Sequence, residues 1–296
     1  MKKTAWSNYQ WPMRHDALNI VLKAKEINGM NKKLIDKISE INIKTFNVNH
    51  KNSFNKNGYT IINNFIPFEI IEDIRSSAAP FGVIPDYPIV LNIHSKMRLF
   101  GQIMLNASLL NIMKELHNEE VTGLTSQYSF KRANTKYGKQ SWVPHQDNAY
   151  PKAPHGHYTI VHLAIDASNQ NNGGLVFWKG SHVEPILPYI YKKSWMEESD
   201  PDGIARPGWE IKNIPDQYQK INIDLNPGDL CFMHGHLIHG SSPNNSLNLS
   251  REQYSMGYCT SGSSFLEGVS SKKRVFTNTE LCQVPIIPEK YEITGQ

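Results

Sequence analysis

A histidine and an aspartate two positions apart are the first candidates for chemistry in this chain. They are His145 and Asp147, within the stretch VPHQDNAYPKAP at residues 143–154. If this stretch is a β-strand, alternate side chains point to the same face. His145 and Asp147 would then point to one side and Gln146 to the other. An imidazole and a carboxylate aimed at one point can begin a metal site, although a structural histidine is the alternative interpretation.

A third ligand can come from the stretch NPGDLCFMHGHLIHGSSPNNSLNLSR at residues 226–251, which follows 79 residues after Asp147. This stretch carries His234, His236 and His239, and any one of them could complete a set of two histidines and one carboxylate. Such a set leaves metal positions open and is typical of non-haem Fe(II) oxygenases. Zinc hydrolases use similar sets, so the ligands alone do not decide the metal.

Arg251 supplies a further indication, twelve residues after His239 and on what we expect to be the next strand. A guanidinium group matches a carboxylate through two parallel hydrogen bonds. 2-Oxoglutarate chelates iron through its 1-carboxylate and 2-keto oxygens, and its distal carboxylate then needs a cation nearby. Arg251 suits that task, and Ser241 can donate a hydroxyl hydrogen bond to the same carboxylate. A solvated strand arginine is the alternative.

The bulk composition is that of an ordinary globular protein. The chain has 296 residues, 39% hydrophobic and 20% charged, with a formal net charge of +4. No dense run of Lys and Arg indicates nucleic-acid binding, and we expect neither a signal peptide nor a membrane span. The three cysteines, Cys231, Cys259 and Cys282, are far apart and odd in number. They favour no disulfide framework, and we expect a cytoplasmic protein.

The elements that must position these residues change in character near residue 122. Before it, spacing of apolar residues predicts helices within 15–47 (interrupted at Asn28-Gly29), over 68–78 and over 105–117, with a turn and a short strand in 54–67. After it, β-prone runs alternate with turn residues, which predicts an antiparallel sandwich or barrel. The predicted strands are 123–132, 140–147, 157–166, 174–178, 219–225, 229–239 and 251–260.

We expect two parts along the chain: a helical N-terminal extension at 1–53 that packs on the core, and a β-rich domain at 54–296. Within that domain, residues 183–218 are long, polar and irregular. A loop of this length inside a compact domain is usually functional or mobile. It is a candidate lid over a substrate site, and a surface insertion is an equally good interpretation.

Taken together, these stretches resemble the phytanoyl-CoA dioxygenase family of Fe(II)/2-oxoglutarate-dependent oxygenases. The resemblance covers about residues 54–260 and depends on the order of its motifs. It is carried by HQD (145–147), YTIVHLAIDASNQNNGGLVFWKGSH (158–182), PGDLCFMHGHLIHGSSPNNS (227–246) and Arg251, with NGYTIINNFIPFEIIEDI (57–74) resembling the N-terminal strand and helix.

The resemblance implies a fold, cofactors and site residues. The fold would be mainly β with flanking helices around a double-stranded β-helix, the jelly-roll core of the cupins. Fe(II), 2-oxoglutarate as co-substrate and O2 would be required. The metal ligands would be His145, Asp147 and His239, because the family ligand precedes Gly-Ser and Pro-Asn, as in HGSSPN. The residues facing the co-substrate would be Arg251, Ser241, Gln127, Lys131 and His162, and no catalytic residue beyond the metal ligands is implied.

Three positions depart from the family pattern. The spacing from His239 to Arg251 is one residue longer than usual, which a bulge could absorb. His162 stands where the family often has an aromatic residue, so it either contacts 2-oxoglutarate or packs in the barrel. Lys179 replaces the usual proline before Gly-Ser-His. We also expect His182 to stabilise its turn.

The implied activity is hydroxylation of an unactivated C–H bond in a small-molecule metabolite or natural-product intermediate, with release of succinate and CO2. The same oxidation ending in desaturation or epoxidation is an alternative. An alternative of another class is a non-catalytic jelly-roll module that binds a metal or ligand. The expected partner is a small-molecule substrate, with no nucleic acid and no membrane. The sequence indicates neither the substrate nor the oligomeric state.

Overall fold

The structure is a computed structural model, and it describes residues 32–41, 46–83, 89–95, 97–191 and 209–264. Within these ranges, no helix is both long and apolar enough to cross a membrane. The helix expected within residues 15–31 and Cys282 lie outside them. Residues 192–208 of the polar loop predicted as a lid also lie outside them.

Helices in the described chain come mainly before the β-rich region. The helix over Phe68–Ala78 has the predicted bounds, and the one predicted over 105–117 begins two residues later. In chain order the helices are α1 (Lys32–Ser39), α2 (Val48–Asn57), α3 (Phe68–Ala78), α4 (Arg98–Met104) and α5 (Ala107–His117).

Two antiparallel sheets form the body of the described chain. The larger has the strand order β1-β10-β5-β12-β3-β2 and the smaller β4-β11-β6-β9, with a separate pair β7-β8. The strands are β1 (Tyr59–Ile62), β2 (Ile89–Leu91), β3 (Val121–Lys131), β4 (Trp142–His145), β5 (Tyr158–Ala164), β6 (Leu175–Trp178), β7 (Tyr189–Tyr191), β8 (Trp209–Ile211), β9 (Lys220–Asn222), β10 (Leu230–His234), β11 (His239–Ser241) and β12 (Arg251–Thr260).

Strand alternation divides the apolar residues of the larger sheet between two cores. On β5, Val161 and Leu163 pack in a cluster with the helices, and Tyr158 and Ile160 pack in a second cluster. The second cluster also contains Leu175 and Phe177 of the smaller sheet, so the two sheets face each other across it. This confirms the prediction of a mainly β jelly roll with flanking helices.

Buried tyrosines attach the helices to the outer face of the larger sheet. The hydroxyls of Tyr254 and Tyr258 on β12 donate hydrogen bonds to the carbonyl oxygens of Phe100 and Met104, at 2.9 and 2.7 Å. Both side chains are fully buried. Each ring therefore fills the core, and its hydroxyl is hydrogen-bonded to a helix carbonyl. This satisfies the requirement that buried polar groups be paired.

Several sequence predictions differ from the structure in detail. Residues 54–57 complete helix α2 instead of forming a turn, since Gly58 ends the helix with φ +81°. The single run predicted over 229–239 is divided into β10 and the start of β11, which belong to different sheets. The three-residue strands β2, β7 and β8 were not predicted. The division into 1–53 and 54–296 stays a prediction; helix α2 runs across residue 53.

Candidate functional site

The predicted histidine–aspartate–histidine set is brought together on the smaller sheet. His145 ends β4 and lies directly opposite His239 of β11, with ring centroids 4.2 Å apart. His145 Nε2 lies 3.4 Å from one Asp147 carboxylate oxygen, and His239 Nε2 lies 3.5 Å from the other. One potential ligand atom from each residue falls within 4.8 Å of the others. This donor set suits a transition metal with open coordination positions.

Backbone carbonyls orient both histidine rings. His145 Nδ1 is 2.7 Å from the Val143 oxygen, and His239 Nδ1 is 2.9 Å from the Leu237 oxygen. A carbonyl can only accept, so Nδ1 carries the hydrogen and Nε2 presents its lone pair. Both lone pairs then face the Asp147 carboxylate, the orientation that metal coordination requires.

Burial and mutual charge shift the pKa values of the three groups. Burial disfavours charge on His145, but its hydrogen bond to Asp147 and the charge of that carboxylate outweigh burial and raise the pKa of His145. Burial, with the nearby His145, lowers the pKa of His239 to about 4, which favours the neutral ring. Burial disfavours charge on Asp147 too, but His239 and His145 outweigh it and hold the pKa of this carboxyl well below its usual range. A neutral imidazole and an ionised carboxylate are the forms that bind metal.

Asp147 does not lie on the strand, contrary to the strand predicted over 140–147. Strand β4 ends at His145, and Asp147 begins a 3-10 turn over Asp147–Ala149. Gln146 between them is still extended, with φ −120° and ψ 123°, so the alternation of side chains continues through it. His145 and Asp147 therefore share a side, as predicted, and the buried Gln146 points away from them.

Two cations are buried next to each other on the larger sheet. Arg251 begins β12 and pairs with Lys131 at the end of β3, and their exposed fractions are 3% and 0%. Lys131 Nζ donates to Ser241 Oγ at 3.0 Å and also to the Ser242 carbonyl. Gly173, with φ +89°, leaves room for this lysine, since a Cβ there would lie 2.6 Å from Lys131 Cε.

The described surroundings of these two cations contain an unused hydrogen-bond donor. Arg251 Nη1 donates to Gln253 Oε1 at 2.5 Å, but its buried Nε has no hydrogen-bond partner among the described residues. Burial lowers the pKa of Arg251, and burial together with Arg251 lowers the pKa of Lys131 well below its usual value. Two neighbouring buried cations with an unpaired donor are a fit for a carboxylate ligand.

Gln253 is a residue of the candidate site that the sequence reasoning missed. Because Arg251 can only donate, the oxygen of the Gln253 amide must face it, and the amide nitrogen then faces His162 Nδ1 at 2.7 Å. His162 Nδ1 therefore accepts, and the neutral ring carries its hydrogen on Nε2. Burial, with the neighbouring His239, lowers the pKa of His162 to about 3. Positions 251, 253 and 255 alternate on one strand, the signal that could have identified Gln253.

His162 lies between the two halves of the site. Its charge would interact with His239, Asp147 and His145 on one side and with Arg251 on the other. Its Nε2 is buried and has no hydrogen-bond partner in the described part of the chain. This is a second unused donor beside the cluster of His145, Asp147 and His239.

The remaining candidates divide between this site and other regions. Ser241 is buried and accepts from Lys131, and Gln127 is half-buried on β3, four residues before Lys131. His234 lies outside the site, where its ring is 6.0 Å from Phe54 and 5.2 Å from His182. His236 Nε2 accepts from the Asn148 side-chain amide, and its Nδ1–H donates to the Glu184 carbonyl. His182 is bonded to the Asn55 carbonyl at 3.0 Å.

Comparison with known proteins identifies the family. The family model described as phytanoyl-CoA dioxygenase (PhyH) matches residues 54–252. That is more than half of the chain, and the match contains His145, Asp147, His239 and Arg251. The chain belongs to the phytanoyl-CoA dioxygenase family, which confirms the resemblance seen in the sequence.

Individual relatives are more distant. A probable phytanoyl-CoA dioxygenase of Caenorhabditis elegans is 32% identical over 101 residues, 34% of this chain and 30% of that protein. The peroxisomal phytanoyl-CoA dioxygenase of Rattus norvegicus is 28% identical over 152 residues, 51% of this chain and 42% of that protein. The chain thus matches less than half the length of these relatives.

A solved structure agrees with the jelly-roll fold. It is the epimerase SnoN in complex with Fe3+, alpha-ketoglutarate and nogalamycin RO. The two structures superpose with a TM-score of 0.60 at 14% identity, over 80% of this chain and 89% of SnoN. Similarity at this level of identity supports the fold and leaves the reaction open.

Proposed function

We propose that this chain is an Fe(II)/2-oxoglutarate-dependent dioxygenase that hydroxylates a C–H bond of a small molecule. Bound Fe(II) and 2-oxoglutarate would supply the oxidising chemistry: substrate C–H, O2 and 2-oxoglutarate give substrate C–OH, succinate and CO2. The observation that carries the proposal is the unpaired Arg251 Nε, buried on the sheet that faces His145, Asp147 and His239. A metal site alone would not require it.

The residues divide into a metal side and a carboxylate side. His145, Asp147 and His239 would hold Fe(II), with the Nδ1–H bonds to Val143 and Leu237 fixing the two rings. Arg251 would bind the distal carboxylate of 2-oxoglutarate, and Lys131 would add a second positive charge. The acid supplies the negative charge that two buried cations otherwise lack.

His162, Ser241 and Gln127 would complete the co-substrate side. The buried Nε2–H of His162 would donate to bound 2-oxoglutarate. Ser241 accepts from Lys131, and its own hydroxyl hydrogen is then free to turn toward the carboxylate. Gln127 lies four residues before Lys131 on β3 and shares its sheet face. This face therefore offers donors, which a dianionic acid needs.

An oxidation at this site can give different products from the same substrate C–H bond. Desaturation and epoxidation use the same iron and co-substrate, and the neighbour SnoN is an epimerase. Asp147 would supply a carboxylate to the metal, which favours hydroxylation over halogenation, because related halogenases have a small residue there. A non-catalytic binding module would not need an arginine aimed at a second carboxylate.

Location and accessory regions are also proposed. The buried cysteines Cys231 and Cys259 form no disulfide within the described chain, which is compatible with a cytoplasmic enzyme. The segment 183–218 would act as a lid on the substrate side. The helices before residue 54 would pack on the jelly roll as an extension. We propose a small-molecule substrate and no nucleic-acid or membrane partner.

The first test is anaerobic addition of Fe(II) and 2-oxoglutarate to the metal-free protein. An iron-bound 2-oxo acid should give a weak charge-transfer band in the visible spectrum at roughly 500 nm. We expect the band in the wild type, no band in His145→Ala and a weaker band in Arg251→Ala. His155→Ala, which removes an exposed histidine outside the site, is the matched control and should keep the band.

Absence of the band in folded, iron-loaded wild type would contradict the assignment. The iron would then not accept 2-oxoglutarate, and the chain would be a metal-binding jelly roll of another function. If the band forms, release of succinate in a screen of small molecules identifies the substrate, and the mass of the product distinguishes hydroxylation from desaturation.

A further inference from the structure

The loop between β3 and β4 buries a tyrosine. Tyr137 is 2% exposed, although most residues around it in 132–141 are half-buried or exposed. Loops normally run over the surface. The indole N–H of Trp142 lies 3.4 Å from the Tyr137 hydroxyl oxygen, so that oxygen accepts, and the hydroxyl hydrogen has no acceptor among the described residues. Tyr137 therefore holds an unused hydrogen-bond donor inside the protein.

Hydrogen bonds hold this loop against the loop that precedes β12. The Asn244 N–H donates to the Gly138 carbonyl oxygen at 2.7 Å, and the Asn244 side-chain amide donates to the Lys131 carbonyl oxygen at 3.1 Å. Gly138 follows Tyr137 directly, and Lys131 is paired with Arg251. The backbone that carries Tyr137 is thus fixed beside the two buried cations.

Strand pairing connects the Tyr137 hydroxyl to the same cations from the smaller sheet. Trp142, which donates to this hydroxyl, lies on β4 opposite Ser241 of β11. Ser241 Oγ in turn accepts from Lys131 Nζ at 3.0 Å. The backbone of the loop and the hydroxyl of its tyrosine therefore both lead to the residues around Lys131.

The Tyr137 phenol and the Arg251 guanidinium interact electrostatically but are not bonded through Arg251 Nε. Burial raises the pKa of Tyr137, and the positive charge of Arg251 opposes this rise. Arg251 Nε has no hydrogen-bond partner in the described chain, so the Tyr137 oxygen does not accept from it. Two buried donors that lie near each other without bonding to each other need an acceptor, which a bound ligand can supply.

We propose that the Tyr137 hydroxyl is a further ligand of the distal carboxylate of 2-oxoglutarate and makes the site selective for a 2-oxo acid with a second carboxylate. The inference rests on the proposed function, because it assigns a residue to the co-substrate side of that site. A carboxylate has two accepting oxygens, so Arg251 and Tyr137 can donate to it together. Because burial raises the pKa of Tyr137, the phenol is protonated at neutral pH and can donate. A hydrogen bond to an ionised carboxylate is stronger than one between neutral groups.

The test compares 2-oxoglutarate with 2-oxopentanoate, which has the same carbon chain and ends in a methyl group in place of the distal carboxylate. Each acid is titrated without oxygen into protein loaded with Fe(II), and the visible band measures its affinity. Tyr137→Phe keeps the ring and removes only the hydroxyl. We expect it to bind 2-oxoglutarate at least about tenfold more weakly than the wild type and to keep the affinity for 2-oxopentanoate. Unchanged affinity for 2-oxoglutarate, or an equal loss for both acids, would overturn the inference.

Tyr258→Phe is the matched control, since it removes another buried tyrosine hydroxyl, one that donates to the Met104 carbonyl outside the site. It should lower the free energy of unfolding, measured with urea, and keep the affinity for 2-oxoglutarate. Tyr137→Phe should do the reverse, because its hydroxyl hydrogen has no acceptor until the acid binds. A loss of stability in Tyr137→Phe equal to that in Tyr258→Phe would show that this hydrogen is already bonded, which contradicts the inference.

Glutarate separates this inference from the proposed function, because it has both terminal carboxylates but no keto group with which to chelate iron. Isothermal titration calorimetry measures its binding to the metal-free protein, and Tyr137→Phe should bind it at least about tenfold more weakly than the wild type. If 2-oxoglutarate gives no band, the proposed function fails. Where either 2-oxo acid gives no band, glutarate decides the role of Tyr137: equal binding by both proteins, or no binding by the wild type, overturns it.

Discussion

Lys131 and Arg251 show how a binding site can be recognised from an unfavourable arrangement of single residues. Each is buried, they are paired across β3 and β12, and the charge of Arg251 opposes charge on Lys131. A buried charge without a counterion is strongly unfavourable in a folded protein. A site that accepts this arrangement is adapted to an anionic ligand, and two predictions follow at this scale.

The first prediction concerns Lys131→Met, which removes the charge and keeps the length of the side chain. We expect the ligand-free protein to gain about 1 kcal/mol in free energy of unfolding, because a buried unpaired charge is removed. The same change should weaken 2-oxoglutarate binding. Urea unfolding with and without 2-oxoglutarate measures both effects, and 2-oxoglutarate should stabilise the wild type more than the variant.

Lys139→Met is the control for this experiment, since it removes a lysine that lies outside the site. A loss of stability in ligand-free Lys131→Met, together with unchanged 2-oxoglutarate binding, would contradict the role given to Lys131. Lys131 would then serve only as a structural donor to Ser241 and Ser242.

The second prediction concerns Gln253, which links Arg251 to His162. In Gln253→Glu, the new carboxylate pairs with Arg251 and can only accept a hydrogen bond from His162 Nδ1. The neutral His162 ring must then carry its hydrogen on Nδ1, so its Nε2 changes from donor to acceptor. We expect 2-oxoglutarate to bind about tenfold or more weakly than in the wild type, a loss near 1.4 kcal/mol. Titration of the visible band under anaerobic conditions measures this affinity.

Gln253→Met provides the comparison for that substitution. It removes the link but adds no competing charge, so it should lose less affinity than Gln253→Glu. If the two variants lose the same affinity, Gln253 acts only as packing. If neither loses any, the link does not orient the co-substrate side.

Single residues also show what could and could not be predicted from the sequence. The sequence predicted four residues of the site because their residue types are uncommon in strands and their spacing matches a family motif. They are His145, Asp147, His239 and Arg251. Gln253 was not predicted, because its role depends on contacts with His162 on another strand. The choice of His239 over His234 also needed the family pattern, since the spacing alone allowed both.

At the scale of elements, the site depends on where strands end. Strand β4 ends at His145, which lets the chain turn and present Asp147 to both histidines. Strand β12 begins at Arg251, so the longer spacing after His239 is taken up by the loop before β12, and the bulge in β12 lies farther along, between Gly257 and Tyr258. The Asn244 side chain closes that loop by bonding to the Leu249 and Lys131 carbonyls.

Strand predictions succeeded where alternation was long and failed where it was short. Strand β12 has the predicted bounds, and along its middle Tyr254, Met256 and Tyr258 alternate with Ser255 and Gly257. Strands β7 and β8 have three residues each and pair across a long polar segment. So few residues give no periodic signal, and only tertiary contacts select these strands.

The third prediction concerns Gln146, which joins β4 to the segment before β7. In Gln146→Glu the acceptor for the Leu187 N–H remains, but the donor to the Pro185 and His236 carbonyls is lost. Gln146→Leu removes both. We expect the Leu187 amide to exchange its hydrogen about tenfold faster in Gln146→Leu, because its buried bond is gone. Hydrogen exchange followed by mass spectrometry of a peptide over 184–191 measures this.

Gln219→Leu changes an exposed glutamine and is the control, with no expected change at Leu187. Slower exchange in Gln146→Leu than in the wild type would contradict the link. Gln146→Glu should lie between the wild type and Gln146→Leu, since it keeps one of the three bonds.

At the scale of the whole molecule, burial of neutral histidines couples the fold to pH. Burial lowers the pKa of His94 to about 4 and, with His157 nearby, that of His117 to about 4. Burial, with His182, His236 and His155 around it, lowers the pKa of His234 to about 2. These three histidines are not among the proposed metal ligands, so this effect belongs to the jelly roll and its helices.

The fourth prediction is a loss of stability in mild acid. The folded pKa values lie below the unfolded value near 6.5, so the unfolded chain binds more protons as the pH falls. The contribution of each histidine is therefore complete above about pH 6.5 and is lost toward its folded pKa, by up to about 1.4 kcal/mol per pH unit.

His117 bonds to the hydroxyls of Thr159 and Thr260 at 3.0 Å, and a glutamine side chain at this position can make similar hydrogen bonds. We expect His117→Gln to flatten the pH dependence of the unfolding free energy by about that slope between about pH 6 and pH 4.5. Equal slopes in wild type and His117→Gln, measured by urea unfolding at several pH values, would show that folding does not lower the pKa of His117.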